Sequence, residues 1–398
     1  LLDLRHQLIE GRVDVPRVGS VIELEAIPWY AVVDADGTVA HPVVAYLRSL
    51  ILDDNRPATA KSYAHDLLRW HRLLWFLGVD WDRATEAETS ALVGWLRTAP
   101  NPQRRRRNAN APQPGSLNPR TGKPYLKAGY APSTINHCLT VVSGFYAYHR
   151  HYNRGPLINP VPESEAQRRA LAHRAPDSEI QQFRRARLRQ RVPKSDPRSI
   201  PDGMWDEFFT ALTCDRDRAA VMLYVSSGSR AGELLQVTPG DISWSKQLIW
   251  VITKGRDDRE AVPVSPQALA VLAAYLDRIG LPAADQPVLR TRRGPDRPLT
   301  YWAMRRVIQR VNDRLGTNWT LHDLRHTAAI RMANDPNLTL AQVRVIMRHN
   351  DLATTGRYLN ARVEDLFDAL QAHYTRPRIE RTIAPGYDPD DFRAVFGG

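Results

Sequence analysis

Thr320-Leu321-His322-Asp323-Leu324-Arg325-His326-Thr327 opens with a threonine three residues ahead of an aspartate. That is capping-box spacing, in which each side chain bonds the other residue's backbone N–H, and it predicts a helix over 320–333. Within that helix His322 and Arg325 are three apart, so both project from one face near the N-terminal end, where backbone dipoles favour an anion. Downstream, Thr339 and Gln342 repeat the signal for a helix over 339–347, which runs out at Arg348-His349, and a last helix is predicted at about 363–374. Upstream, helical spacing predicts helices over 300–315 and 266–279. The alternating run 248–253, a polar tip at 255–260 and the run 261–264 form a β-hairpin pattern. Further helices are predicted over 231–237 and 217–227, and another starts near Pro201 with Trp205, Phe208, Phe209 and Leu212 as its apolar face. Residues 199–398 are thus expected to be one mostly helical domain around a small sheet.

The first half has a different character. Val43, Leu47, Leu50 and Ile51, and then Tyr63, Leu67, Trp70 and Leu74, recur at helical spacing and predict a helical domain over 41–161. Ser133 is placed as the N-cap of a helix through Ile135, Leu139, Val142, Phe145 and Tyr146. Residues 1–40 are expected to be an N-terminal arm, in which the β-prone pieces 21–24 and 30–33 and a turn at Asp34-Ala35-Asp36-Gly37 make a hairpin signal. The Arg-rich stretch 162–198 is expected to link the two domains. Residues 101–130 interrupt the helical domain with turn formers and four successive arginines, Arg104, Arg105, Arg106 and Arg107. Such a loop either grips phosphates, each neutralised one releasing condensed counterions, or is a solvated basic loop. Lys61, Arg69 and Arg72 carry the same pair of readings.

Composition sets the outer bounds. A chain of 398 residues exceeds the ~250 at which a single core stops growing. Its formal net charge of +12 nominates a polyanionic partner, and 43% apolar with 25% charged residues is a globular balance. Cys138 and Cys214 lie far apart with no neighbouring ligand residues, so neither a disulfide framework nor a zinc site is expected. No apolar run approaches the ~18 residues of a membrane span, and no secretory layout opens the chain; a cytoplasmic, nucleoid-associated protein without membrane contact is expected.

Five pieces of the second domain call for one explanation: Ser227-Gly228-Ser229-Arg230-Ala231-Gly232-Glu233, Thr253-Lys254-Gly255, His322 to Thr327, Arg348-His349, and Thr354-Thr355-Gly356-Arg357-Tyr358. Each alone is ordinary. Together they suit attack on a phosphodiester by a protein hydroxyl. Charge gathers on the non-bridging oxygens in the transition state, and two planar guanidinium groups, Arg230 and Arg325, can hold those oxygens in fixed forks. Tyrosine makes the covalent link but needs help to lose its proton, which His322 and His349 can supply. Lys254, on a hairpin tip, can protonate the departing oxygen.

This ordered set resembles the catalytic domain of the tyrosine recombinases, the phage-type integrases, over about residues 200–375, and residues 41–160 are similar in style to the family's core-binding, SAM-like domain. The resemblance implies a mainly α fold with a small β-sheet, arranged as a two-domain clamp on DNA. It implies that Arg230 and Arg325 clamp the scissile phosphate, that Lys254 protonates the 5′ oxygen, and that His322 and His349 assist. Tyr358 would be the nucleophile and Glu233 would brace the site. Two positions depart from the family's pattern. Arg348 stands where Gly commonly precedes the second His, and Thr253 where Gly often precedes the Lys, which puts the local backbone shape in question. His326 and Tyr374 are rivals to His322 and Tyr358; the first matches a position usually given a structural reading, and the second falls in the predicted final helix.

The implied reaction is strand exchange through a 3′-phosphotyrosine, serving integration, excision, resolution or transposition of a mobile element. The implied partners are double-stranded DNA with a specific site, a homotetramer on that DNA, and accessory DNA-bending proteins or partner recombinases. No cofactor or metal is expected, because the ester is exchanged and the cationic side chains supply the positive charge. Two alternatives share the fold: a type IB topoisomerase-like relaxer, and a catalytically idle DNA-binding accessory protein. The segment after Tyr358, with Leu366, Leu370 and Tyr374 at helical spacing, either docks on a neighbouring subunit or packs in its own domain.

Overall fold

The computed structural model of the chain describes residues 2–104, 111–163, 186–193, 198–253 and 258–348. They divide into two compact units, 1–194 and 195–398, each with its own core.

The first unit is built on α2 (His41–Leu52), α3 (Pro57–Leu77), α4 (Glu86–Thr98) and α5 (Pro132–His151). Prolines fall at the starts of α2, α3 and α5, where the missing N–H costs nothing, and α3 stops at Gly78 in the left-handed conformation. The axis of the core is α3, which buries Leu67, Trp70, Leu73, Leu74 and Leu77. Two of the buried aromatic side chains are joined: the Trp70 indole donates to the Tyr146 hydroxyl at 3.0 Å, which donates to the Trp81 carbonyl at 2.7 Å. Contrary to the expectation, Ser133 is not the N-cap of α5. Pro132 already lies inside the helix and Ala131 caps it, since the pyrrolidine ring presets the helical φ one residue earlier.

Residues 1–40 are a wall of this unit and not an arm standing off it. A helix absent from the sequence reading, α1 (Leu2–Ile9), packs on α4. Gly94 permits the approach, because a Cβ there would sit 2.5 Å from the Ile9 Cα, and Arg5 pairs with the buried Glu88. Strands β1 (Ser20–Glu23) and β2 (Tyr30–Val33) pair antiparallel with Ser20 opposite Val33. Their connection runs through 24–29, and the turn at Asp34–Gly37 instead returns the chain so that Val39 bridges Val33. Leu8, Val15 and Val32 are all part of the helical core.

In the second unit α6 (Asp202–Thr210) and α7 (Asp215–Ser227) are followed by the short α8 (Ala231–Leu234). The sheet comprises β3 (Ile242–Ser243), β4 (Leu248–Ile252) and β5 (Arg259–Pro263), antiparallel in the order β3-β4-β5 with Ile249 opposite Val262. Alternation along β4 sends Ile249 and Val251 inward, as a period of two requires. Helices α9 (Pro266–Ile279), α10 (Tyr301–Leu315), α11 (Leu321–Ala333) and α12 (Leu340–Met347) complete the unit. The helix predicted at 363–374 lies outside the described residues. The fold is mainly α with small antiparallel sheets. Among the described residues no helix is long and apolar enough to cross a membrane.

Candidate active site

Three helix ends of the second unit meet. The first is the end of α7, where Gly228 takes a left-handed φ of 61°. A side chain is excluded there twice over, by the dihedral and by Met347, whose Sδ would lie 2.5 Å from a Cβ. Ser227 Oγ accepts the Ser229 N–H at 3.1 Å, and the chain then enters α8 with Arg230 at its N-cap. The Glu233 carboxylate folds back over this turn, accepting the Arg230 backbone N–H at 2.9 Å and the Arg230 Nη1 at 2.8 Å.

The second end is the start of α11. Thr320 Oγ1 accepts the Asp323 N–H, and Asp323 Oδ2 accepts the Thr320 N–H at 2.7 Å, the reciprocal cap that the spacing predicted. His322 is exposed and stacks on His326 with ring centroids 4.2 Å apart. Arg325 is buried, and its guanidinium donates to the carbonyls of Gly228 and Met347.

The third end is that of α12, whose start carries the predicted Thr339–Gln342 box. Its last turn closes with Arg348 in the left-handed region at φ 52°. This is the backbone shape that glycine adopts without cost, so the departure from the family's Gly leaves that shape in place. The Arg348 side chain points inward, 8% exposed, and donates to Glu233 Oε2 at 2.9 Å, Ser229 Oγ at 3.1 Å and the Ile346 carbonyl at 3.0 Å.

The structure therefore brings Arg230, Arg325 and Glu233 together and adds Arg348, which the sequence reading had noted only as a departure. The available signal was an arginine at a position calling for a left-handed turn. Arg230, with 37% of its side chain exposed, is the most outward of these guanidinium groups, whereas Arg325 is 5% exposed. Burial pushes the Glu233 carboxyl upward, but the Arg230 N–H and guanidinium, with the charge of Arg348, outweigh it and hold the group below the ordinary carboxylate range. Three guanidinium charges against one carboxylate leave a local excess suited to an anion. Lys254, His349, Tyr358 and Tyr374 lie outside the described residues. The pinned base of the hairpin tip is visible beside Lys254, where the Thr253 N–H donates to the Asp258 carbonyl at 2.9 Å.

The basic residues of the first unit have structural partners. Lys61 pairs with Glu23 at 2.9 Å. Arg69 pairs with the buried Asp66 and lies over the Tyr130 ring, and Arg72 donates to the Val18 and Gly19 carbonyls at 2.6 and 2.9 Å. Arg104 donates to the Gly129 carbonyl at 2.8 Å, and Arg105, Arg106 and Arg107 lie outside the described residues. Any contact of Lys61, Arg69, Arg72 or Arg104 with DNA would be additional to these braces.

A helical unit followed by a helical unit with a small sheet, its arginines gathered on three helix ends, is the arrangement shared with the tyrosine recombinases, to which this chain is similar. Residues 209–365 match the Phage integrase family. The tyrosine recombinase XerA of Thermococcus onnurineus is 30% identical over 189 residues, 46% of this chain and 64% of that protein. Transposase A from transposon Tn554 of Staphylococcus aureus is 22% identical over 370 residues, 89% of this chain and 97% of that protein. Among solved structures, a lambda integrase dimer bound to a COC′ core site aligns with TM-score 0.54 at 13% identity, over 96% of this chain and 84% of that one. The Tn1549 transposon integrase in complex with circular intermediate DNA aligns with TM-score 0.54 at 15% identity, over 84% and 99%. These likenesses establish the fold.

Proposed function

We propose that the chain is a site-specific DNA recombinase of a mobile element that cuts and rejoins strands through a 3′-phosphotyrosine. The observation that carries this is that Arg230, Glu233 and Arg325, from two different helices, all bond to the turn at Met347 and Arg348, which precedes His349 in the sequence. In the proposed reaction the Tyr358 hydroxyl attacks the phosphorus, its proton passing to His322 or His349. The P–O5′ bond breaks, and Lys254 gives the leaving oxygen its proton. The freed 5′ hydroxyl of the partner duplex then attacks the phosphotyrosine and restores the tyrosine. One ester replaces another at each step, so the number of phosphodiester bonds is conserved. Arg230 and Arg325 oppose the charge that collects on the non-bridging oxygens.

Alignment with a transposase over 97% of its length favours a mobile-element task over chromosome resolution. Double-stranded DNA with a specific site, assembly as a tetramer on it, and help from DNA-bending proteins follow from the same reading. The test uses a pool of nicked duplexes randomised around the nick, incubated with the chain and run on a denaturing gel. A covalent adduct is expected with the parent protein and none with Tyr358→Phe. An adduct that persists in that variant overturns the nucleophile assignment, and supercoil relaxation without strand exchange points to the topoisomerase alternative.

A further inference from the structure

We propose that Arg348 is a positioning residue: from the turn before His349 it holds the Glu233 carboxylate, and Glu233 in turn fixes the fork that Arg230 presents to a phosphate. The inference rests on the recombinase reading, which is what gives Arg230 a phosphate to hold.

Four observations carry it. A left-handed residue other than glycine crowds its Cβ against the backbone, and at φ 52° Arg348 bears that cost where glycine would bear none. Its guanidinium is turned inward, so it is not placed as an outward contact to DNA. Glu233 is only 3% exposed, and a buried carboxylate needs all its oxygens well bonded to offset the loss of water. Its Oε1 accepts from Arg230 Nη1, while Oε2 is shared between the Arg230 backbone N–H and Arg348 Nη2.

Without Arg348 the second oxygen keeps one backbone donor, and the terminal torsion of a glutamate is broad. The carboxylate could then turn, and the exposed Arg230 guanidinium would swing with it. The same bridge joins the loop after α7 to the turn after α12, so the elements carrying Arg230 and Arg348 are fastened together. Lysine would not replace it. A planar fork reaches the Ile346 carbonyl, Ser229 and Glu233 at once, which a single ammonium on a flexible stem does not.

The experiment compares the full chain with Arg348→Met, Arg348→Lys, Glu233→Gln and the Met/Gln double variant. Single-turnover adduct rates and DNA affinity are measured on nicked duplexes recovered from wild-type adducts, and thermal unfolding is recorded for each protein. Arg348→Met is expected to slow adduct formation on the order of a hundredfold with affinity unchanged, the cost of a misplaced reacting group. Glu233→Gln should be slowed comparably, the double variant should be no slower than the slower single, and Arg348→Lys should recover part of the rate. Adduct formation at the wild-type rate by Arg348→Met, or losses that multiply in the double variant, overturns the proposal. If Arg348→Met does not fold, Arg348→Lys carries the test, and a wild-type rate there overturns it. A wild-type chain that forms no adduct overturns the recombinase reading instead. The pairing is then judged by the unfolding cycle alone, where additive effects of Arg348→Met and Glu233→Gln sink it.

Discussion

Gly228 and Glu233 are the two residues on which the centre's local geometry depends most directly. Alanine at 228 would have to adopt the left-handed backbone and push Met347 away, so Gly228→Ala is expected to destabilise the second unit by about 1–2 kcal/mol or more. Thermal unfolding measures this, and an unchanged melting temperature would mean the turn is not held as described. Glu233 supplies a pH dependence with a definite sign. Its folded pKa is depressed, so its stabilising contribution is present above the unfolded carboxylate range, near ~4.3, and is lost as pH falls through the depressed folded value. Asp241 is depressed in the same sense, so Glu233→Gln should weaken the acid-side loss of stability without abolishing it. Urea titrations at several pH values below neutrality check this; identical profiles for the two proteins contradict it. That Glu233 braces Arg230 was expected from a resemblance, whereas the second partner, Arg348, is visible only when residues more than a hundred positions apart are seen to touch.

Helix boundaries were the most legible elements. The Thr320–Asp323 and Thr339–Gln342 boxes are chemical statements contained in four residues each, and both form as read. Thr320→Ala removes the hydroxyl that caps the Asp323 N–H and should cost about 1 kcal/mol. Because α11 carries His322 and Arg325, the first-turn amides should exchange faster in the variant by hydrogen exchange; unaltered protection would show that the cap contributes nothing. The hairpin of residues 20–33 was the opposite case. Its strands are legible from β-propensity, but the turn signal read with them, Asp34–Gly37, falls after both. The turn does form, yet it serves a second pairing, between Val33 and Val39. Which segments a turn joins is decided by the face that must be buried, here that of β2 against α3.

For the whole molecule, a net charge of +12 carried mainly by arginine makes DNA affinity a matter of counterion release. The logarithm of the DNA affinity should fall linearly with the logarithm of salt concentration, with a slope of roughly −0.9 for each phosphate neutralised. Filter binding between low and moderate salt measures it, and a flat response would remove the electrostatic case for a DNA partner. The division into two cores was legible in outline, from helical periodicity on either side of an Arg-rich stretch. The membership of residues 1–40 was not, since nothing in α1 announces that Gly94 leaves room for it on α4.

The amino-acid sequence by itself carried the class of fold and the capped starts of α11 and α12, and it nominated the reacting groups, because caps, periodicity and an ordered set of side chains act over a few residues at a time. Only the tertiary structure decided that Arg325 is spent partly on two backbone carbonyls, that Arg348 reaches Glu233, and that the basic residues of α3 brace their own unit. The physical reason is that a buried charge takes whichever partner packing delivers to it, and packing is a property of the assembled core, to which no single segment holds the key.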